Sequence, residues 1–238
     1  MIKALVFDVF GTVVDWRSSV ISECKILEKK TGVLGDWEKL TDMWRQKYMP
    51  SMDKVRNGEK KWTILDDLHK ESLLSILKEL NITSFSEDEI NHLNKSWHRL
   101  NPWPDSVKGL NLLKRNFTIS TLSNGNHELL KNMANHANLP WDNIFSAETF
   151  MHYKPDPETY LGAANKLNLQ NNEVMLVAAH NNDLLAAKEC GLKTAFVLRA
   201  TEYGPNQNFD LEADKKIDIS ASDFIELSDK LLAFNKNQ

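Results

Sequence analysis

Hydrophobic positions along this chain follow two different spacings, which separate a helical region from a region of alternating strands and helices. Residues 2–7 form a short, mostly apolar run of the kind that fills a buried parallel strand. From about residue 16 to residue 100, apolar side chains recur every three or four positions, as on amphipathic helices. Pro102 and Pro104 end this region, because proline disfavours helix in the residue before it and donates no backbone hydrogen bond.

Beyond residue 104, short apolar runs alternate with stretches of helical spacing. The pattern predicts strands at 117–122, 144–146, 174–178 and 194–198, and helices at 126–137, 159–167 and 183–190. This order is typical of a doubly wound, Rossmann-like parallel sheet of the α/β class. We therefore expect a core domain made of residues 1–15 and 101–238, an all-helical cap domain inserted at residues 16–100, and an active site between them.

The composition of the chain argues against some classes of binding partner. With 42% hydrophobic residues, 26% charged residues and a net charge of −4, the chain is typical of a globular protein and lacks the positive field that would attract nucleic acid or an anionic membrane. No apolar stretch approaches the ~20 residues that span a bilayer, and the N-terminus does not resemble a signal peptide. We expect no nucleic-acid partner, no membrane partner and a cytoplasmic location, with Cys24 and Cys190 reduced.

Candidate chemistry begins at the end of the first strand. Asp8 follows the apolar run directly, Gly11 allows a sharp turn, and the hydroxyl of Thr12 can donate to the carboxylate. A carboxylate in this position can attack an electrophile in the crevice at the end of the strand. An aspartate that caps the next helix would use the same residues, and the spacing does not separate the two interpretations.

Further polar segments follow later strands, where a parallel sheet would bring them close to Asp8. Ser123 and Asn124 could bind a substrate carboxylate, although a plain loop turn would use the same residue types. Lys154 could keep Asp8 ionised and attract an anionic substrate, although an isolated lysine before a proline is more typical of a surface helix start. Arg45, in the helical region, would by itself be interpreted as a solvated or paired side chain.

Together these segments resemble the four motifs of the haloacid dehalogenase superfamily, in order and across essentially the whole chain. The matching residues are Asp8 with Gly11 and Thr12, Ser123 with Asn124, Lys154 with Tyr160, and Asp183. Phosphatases of this superfamily carry a second aspartate where this chain has Phe10, which can neither protonate a leaving alcohol nor bind magnesium. The chain is more similar to the type II (S)-2-haloacid dehalogenase branch, in which the aspartate displaces halide from carbon.

The resemblance implies a role for each matching position. Catalytic roles would fall to Asp8, Thr12, Lys154, His180 and Asp183. Binding of substrate or halide would fall to Phe10, Arg45, Gln46, Met49, Trp62, Ser123, Asn124 and Tyr160. Arg45 and Gln46 match an Arg-Gln pair of dehalogenase caps, in which the guanidinium, charged even when desolvated, takes up the halide. Met49 and Trp62 would be apolar walls of that pocket, although Trp62 could equally be core between cap helices.

The fourth motif departs from the family pattern. Typical dehalogenases have Ser-Ser-Asn-x-Trp-Asp here, whereas this chain has Ala178 for a serine, His180 for the asparagine and Asn182 for the tryptophan. His180 could orient the hydrolytic water or donate a proton to the leaving halide. A structural histidine hydrogen-bonded to the loop is the alternative.

The implied reaction converts a short 2-haloalkanoic acid and water to a 2-hydroxy acid and halide, with fluoroacetate as a further candidate substrate. Asp8 would attack the halogenated carbon and invert it, and water would then hydrolyse the resulting ester at the carboxyl carbon of Asp8. No metal and no other cofactor are expected, and the family implies a homodimer. The rival interpretations are a magnesium-dependent small-molecule phosphatase and a non-catalytic protein that binds small carboxylates.

Overall fold

A six-stranded sheet forms the centre of the computed structural model, which describes residues 1–236. Within these residues the strands are β1 (Ala4–Phe7), β2 (Val14–Asp15), β3 (Asn101–Pro102), β4 (Thr118–Ser123), β5 (Asn143–Ser146), β6 (Val174–Ala178), β7 (Lys193–Val197) and β8 (Ile219–Ala221). The central sheet has the order β5-β4-β1-β6-β7-β8, and neighbouring strands are parallel throughout. The predicted α/β class with a doubly wound parallel sheet is confirmed.

Helices cover the sheet and also fill the region between β2 and β3. In the described part of the chain the α-helices are α1 (Trp16–Thr31), α2 (Trp37–Arg56), α3 (Leu65–Glu79), α4 (Glu87–Asn94), α5 (Ser106–Lys114), α6 (His127–Ala137), α7 (Ala147–Phe150), α8 (Pro157–Lys166), α9 (Asn181–Glu189) and α10 (Phe224–Lys236). Short 3₁₀ helices occupy Lys95–Arg99 and Asn171–Glu173. Among residues 1–236, no helix is long and apolar enough to cross a membrane.

Strand β1 lies at the middle of the sheet, and its position determines where the site forms. It is completely buried between β4 and β6, with Phe7 opposite Thr121 on one side and Val177 on the other. Apolar side chains form two clusters, as expected of a parallel sheet that is covered on both faces. Because β1 pairs with β4 on one side and with β6 on the other, its carboxyl end lies at a topological switch point, where a crevice opens.

Helices α1 to α4 pack against one another and against the first 3₁₀ helix. Their shared interior is rich in aromatic rings, with Trp16 stacked on Trp97 at 6.2 Å between ring centres. A short antiparallel ladder between β2 and β3 joins the start and the end of this helical region, with Val14 opposite Pro102. The division of the chain into a core domain and a cap domain stays a prediction.

The C-terminal part contains two elements that the apolar spacing did not reveal. β8 completes one edge of the sheet, α10 packs against α5, and Phe224 of α10 meets Phe7 of β1 edge to face. The side chain of Asn235 accepts the backbone N–H of Ile2 and donates to the Ile2 backbone oxygen. These contacts attach the C-terminal helix to the start of the chain. β8 has three residues, which is too short a run to show a strand period.

Candidate active site

A cavity of about 960 Å³ opens at the carboxyl end of β1, between the sheet and helix α2. The predicted site residues that line it are Asp8, Phe10, Arg45, Gln46, Met49, Asn124, Lys154, His180 and Asp183. Thr12 and Tyr160 lie behind this lining, where they bind the carboxylates of Asp8 and Asp183. Residues that are far apart in the sequence thus face one space, with the aspartates on the sheet side and Arg45 on the α2 side.

Asp8 is nearly buried and has a partner on each carboxylate oxygen. Lys154 Nζ lies 2.9 Å from Oδ1, and the Thr12 hydroxyl donates to Oδ2 at 2.7 Å. Burial would raise the pKa of Asp8, but the charge of Lys154, followed by the hydrogen bond and charge of His180, lowers it well below its usual value. Asp8 is therefore an ionised carboxylate at neutral pH, which is the form that acts as a nucleophile.

Lys154 connects Asp8 to the second carboxylate of the site. Its Nζ also lies 2.5 Å from Asp183 Oδ2, while the Tyr160 hydroxyl donates to Asp183 Oδ1 at 2.6 Å. Burial would lower the pKa of Lys154, but the charges of Asp183 and Asp8 raise it above its usual value. Asn124 Oδ1 accepts the backbone N–H of Lys154 at 2.7 Å and so positions this residue. Lys154 is a fixed cation between two anions.

The donor set does not suit the magnesium ion that phosphatases of this superfamily use. Asp8 and Asp183 both bind the Lys154 ammonium group, so an oxygen of each carboxylate is already engaged. Phe10 adds an apolar ring that meets Tyr48 edge to face. Residues 1–236 contain no group of three or more His, Cys, Asp or Glu side chains that could hold a metal ion. The residues present therefore do not fit a magnesium site.

His180 connects Asp8 to a buried glutamate that the sequence did not single out. Its Nδ1 lies 3.4 Å from Asp8 Oδ2, and its Nε2 lies 2.8 Å from Glu202 Oε2. Glu202 is 1% exposed and also accepts the indole N–H of Trp16 at 2.9 Å. Burial would lower the pKa of His180, but the charge of Glu202 and the hydrogen bond to Asp8 raise it well above its usual value. The resting site thus contains an imidazolium between two carboxylates.

Two nearby residues determine where Glu202 lies. Gly11 has a φ of +85°, and a Cβ atom at this position would overlap the Glu202 carboxylate. Arg199, three residues before Glu202, donates to the carboxylate of Asp105 at 2.7 and 3.0 Å and to the backbone oxygen of Thr12 at 2.9 Å. Gly11 therefore allows the sharp turn and also leaves room in the site for the Glu202 carboxylate, because glycine has no side chain.

Arg45 extends from α2 into an enclosure of aromatic rings. Its guanidinium carbon lies 4.4 Å from the ring centre of Tyr48, 5.3 Å from that of Trp16 and 5.9 Å from that of Tyr203. Nη2 lies 3.7 Å from a Glu202 oxygen and 3.4 Å from the Tyr203 hydroxyl, whereas the buried Nη1 has no partner within the described residues. A desolvated guanidinium with an uncommitted N–H group is suited to accept an anion.

Two predicted site residues lie elsewhere or serve another purpose. Trp62 does not line this cavity, since its ring stacks on Tyr153 at 5.0 Å and lines a second, smaller cavity. The prediction that Trp62 is a wall of the site is wrong, because the face of Tyr153 takes up its ring. Ser123 is 2% exposed, and its hydroxyl oxygen accepts the backbone N–H of Gly125 at 3.3 Å, so it stabilises the turn and does not line the cavity.

Comparison with known proteins identifies the family. A family model described as haloacid dehalogenase-like hydrolase matches residues 2–191, and the chain belongs to that family of hydrolases. Among curated relatives, (S)-2-haloacid dehalogenase 1 of Pseudomonas sp. (strain CBS-3) is 30% identical over 83% of this chain and 85% of its own length. (S)-2-haloacid dehalogenase 4A of Burkholderia cepacia is 28% identical over 83% of this chain and 84% of its own length.

Solved structures agree with this assignment. The L-2-haloacid dehalogenase PA0810 has a TM-score of 0.95 and 48% identity, covering 98% of this chain and 100% of its own. The defluorinating L-2-haloacid dehalogenase Rha0230 has a TM-score of 0.95 and 44% identity, covering 97% of this chain and 95% of its own. The predicted similarity to the (S)-2-haloacid dehalogenase branch is confirmed.

Sequence reasoning missed Glu202 and Tyr203, which both face Arg45. They lie between β7 and β8, beyond the residues that the family model matches. This segment has neither helical nor strand spacing and no motif of its own, so no signal within it marks the two residues. The one indirect signal is Gly11, whose missing side chain is explained by the approach of Glu202.

Proposed function

We propose that this protein is a 2-haloacid dehalogenase that hydrolyses short 2-haloalkanoic acids to 2-hydroxy acids and halide through an ester on Asp8. The observation that carries the proposal is an ionised Asp8 that shares one cavity with Arg45, whose Nη1 has no partner in the described chain. Halide displacement needs a nucleophile for carbon and an acceptor for the departing anion, and these two groups meet both needs. The similarity to (S)-2-haloacid dehalogenases supports the same reaction.

In the first step, an oxygen of Asp8 bonds to C2 of the substrate while the carbon–halogen bond breaks. The halide leaves with its electron pair toward Arg45, and attack from the opposite side inverts C2. Lys154 and Thr12 fix the orientation of the Asp8 carboxylate through the contacts described above. Asn124 lines the cavity with its Oδ1 already bound to the Lys154 backbone, so its amide nitrogen is the atom that would donate to the substrate carboxylate.

Other lining residues would shape the space around the substrate. Phe10 supplies a buried apolar wall beside the nucleophile. Gln46 and Met49 are more exposed and lie on α2 next to Arg45, so they would contact the outer part of the substrate. An apolar wall beside Asp8 also limits the water that competes with the substrate for the carboxylate.

In the second step, water attacks Cγ of the Asp8 ester and His180 accepts its proton. Nε2 of His180 is bound to Glu202, which turns Nδ1 toward the ester. Esterification removes the charge of Asp8, one of the two carboxylates that raise the pKa of His180, so the imidazolium then loses its proton to solvent more readily. The first proton of the water passes through His180 to the departing alkoxide. The second proton, left on the new carboxyl group of Asp8, then passes to His180, so that Asp8 returns as a carboxylate and His180 as an imidazolium.

Lys154 would stabilise the negative charge that develops in this second step. Its Nζ already lies 2.9 Å from Asp8 Oδ1, the oxygen that becomes an oxyanion if the substrate is bound through Oδ2. Asp183 and, behind it, Tyr160 position the lysine for this purpose. These are the roles that we propose for the remaining residues of the motifs.

The two rival functions have less support. A magnesium-dependent phosphatase would carry a second aspartate where this chain has Phe10, which supplies neither a metal ligand nor a proton for a leaving alcohol. A non-catalytic carboxylate-binding protein would have no need for a lysine that keeps Asp8 ionised next to a histidine–glutamate pair.

Halide release with EDTA present tests the proposal, using chloroacetate, (S)-2-chloropropionate and fluoroacetate as substrates. We expect release that is insensitive to EDTA and that falls by about 10³ or more in Asp8→Asn, which keeps the shape of the side chain but removes the nucleophile. The matched control is Asp229→Asn, a change at an exposed position of α10, which should retain full activity. Unchanged release in Asp8→Asn would refute the proposal, and phosphate-ester hydrolysis that depends on magnesium would favour the phosphatase.

We also propose a homodimer in the cytoplasm and a division into a core (residues 1–15 and 101–238) and a cap (residues 16–100). The ladder between β2 and β3, which joins the two ends of the helical region, supports that division. Light scattering of the purified protein tests the dimer, for which we expect twice the chain mass of 27.3 kDa.

A further inference from the structure

Tyr203 brings a second hydrogen-bond donor to the arginine side of the cavity. It lies in the segment between β7 and β8, whereas Arg45 lies on α2, so two separate parts of the chain meet at this point. The Tyr203 hydroxyl oxygen accepts from Arg45 Nη2 at 3.4 Å, and within residues 1–236 the hydroxyl proton has no acceptor. Both side chains line the cavity that contains Asp8.

The ring of Tyr203 is fixed by its neighbours. It meets Trp16 edge to face at 5.6 Å between ring centres and contacts Phe209 at 4.7 Å. Its backbone N–H donates to Gln207 Oε1 at 3.0 Å. The hydroxyl proton can therefore rotate, while the oxygen keeps its place beside Arg45.

The neighbouring carboxylate is already engaged by other donors. Glu202 lies 3.7 Å from Arg45 Nη2, but its Oε1 accepts from Trp16 and its Oε2 binds His180. Nη1 of Arg45 is buried and has no partner among the described residues. Two open donors, one cationic and one neutral, thus lie side by side in the wall of the cavity.

We propose that Tyr203 is a specificity-determining residue that donates a hydrogen bond to the departing halide beside Arg45. This inference rests on the proposed function. As Asp8 bonds to C2 and the carbon–halogen bond breaks, the electron pair goes to the halide, and the O–H group of Tyr203 stabilises the developing charge without transferring its proton. Small halides concentrate their charge and accept stronger hydrogen bonds than large ones. The hydroxyl should therefore assist chloride and fluoride more than iodide.

Tyr203→Phe tests this inference, because the substitution removes the hydroxyl and keeps the ring. Single-turnover halide release is measured with chloroacetate and iodoacetate, after subtracting the release seen with Asp8→Asn, since iodoacetate also alkylates thiols. We expect release from chloroacetate to slow about 10-fold and release from iodoacetate to slow less than about 3-fold. The ratio of the two rates in one preparation does not depend on the fraction of protein that is folded.

Tyr153→Phe is the matched control. It removes a hydroxyl that donates to the Thr63 backbone oxygen at 2.7 Å, outside the cavity that contains Asp8. Its chloroacetate-to-iodoacetate ratio should equal that of the native protein. An unchanged ratio in Tyr203→Phe, with the native protein active, would overturn the inference alone. No halide release by the native protein from either acid would overturn the proposed function, and this inference with it.

Discussion

The two sides of the cavity differ in how completely their charged groups are paired in the resting protein. On the sheet side the charges are paired before any substrate arrives, since Lys154 lies between Asp8 and Asp183 at 2.9 and 2.5 Å. On the α2 side Arg45 is buried among aromatic rings, and its Nη1 has no partner within residues 1–236. The nucleophile is an anion that already exists in the resting protein, whereas the halide is an anion that forms only during the reaction.

This difference explains why each side has its own chemistry. A carboxylate that must stay ionised in a buried place needs a cation and hydrogen-bond donors in contact with it. An acceptor for a leaving anion must keep its donors open until the anion forms, and oriented donors in a dry pocket then stabilise charge without reorganising. Removing a partner on the sheet side should therefore affect folding as well as catalysis, whereas changes on the α2 side should affect mainly halide release.

The largest effect is expected from Lys154→Met, which removes the cation that pairs the charges on the sheet side of the cavity. The buried Asp8 and the partly buried Asp183 lose their shared cation, so we expect the free energy of unfolding to fall by about 3–5 kcal/mol, in addition to loss of halide release. Urea unfolding near neutral pH measures this change. Lys230→Met, which removes a half-exposed lysine paired with Glu226 on α10, is the control and should cost less than about 1 kcal/mol. Equal stability losses in the two variants would contradict the account.

An intermediate effect that depends on pH is expected from Glu202→Gln. The pKa of His180 is raised in the folded protein, so its pairing with Glu202 stabilises the fold fully below the usual histidine pKa and is lost as the pH rises through the raised value. We expect the variant to cost about 1–3 kcal/mol near pH 6 and less near pH 10. Arg45 also faces Glu202 but stays charged at both pH values, so its contribution does not change. If Glu202→Gln lowers the urea midpoint by the same amount at both pH values, His180 does not contribute to the stabilisation by Glu202.

The smallest effect is expected from Ser123→Ala, which tests whether Ser123 or Asn124 binds the substrate carboxylate. The Ser123 hydroxyl belongs to the turn with Gly125, so KM for chloroacetate should change by less than about 3-fold. Asn124→Ala, at the adjacent residue that does line the cavity, should raise KM by about 10-fold or more. The opposite order of KM values would mean that the hydroxyl of Ser123 binds the substrate.

Most of the sheet side could be predicted from the sequence. Apolar runs mark the strands, and the carboxyl ends of parallel strands converge, so Asp8 and Lys154 could be expected in one crevice although each alone was ambiguous, whereas Asp183 was assigned by the family resemblance. Their meeting within hydrogen-bond distance agrees with that expectation. Arg45 depended on the family resemblance, because an arginine on an amphipathic helix gives no sign of whether it is solvated or buried.

The rest of the site could not be predicted, for a physical reason. Glu202 and Tyr203 lie in a long irregular segment whose path is determined by contacts made elsewhere, such as the pairing of Arg199 with Asp105. Such contacts leave no periodic pattern in the sequence. Trp62 was misplaced for a similar reason, because an apolar residue next to a predicted pocket can pack on any nearby ring, and Tyr153 provides one.

Transfer of an oxygen atom tests the central claim, that Asp8 forms an ester with the substrate, most directly. The protein is used in excess over (S)-2-chloropropionate in ¹⁸O-labelled water, so that each active site turns over at most once. The account predicts that the hydroxy acid carries unlabelled oxygen, which comes from Asp8, and that peptide mass spectrometry finds the label in the Asp8 carboxylate. Label in the hydroxy acid and none in Asp8 would mean that water attacks C2 directly and would contradict the account.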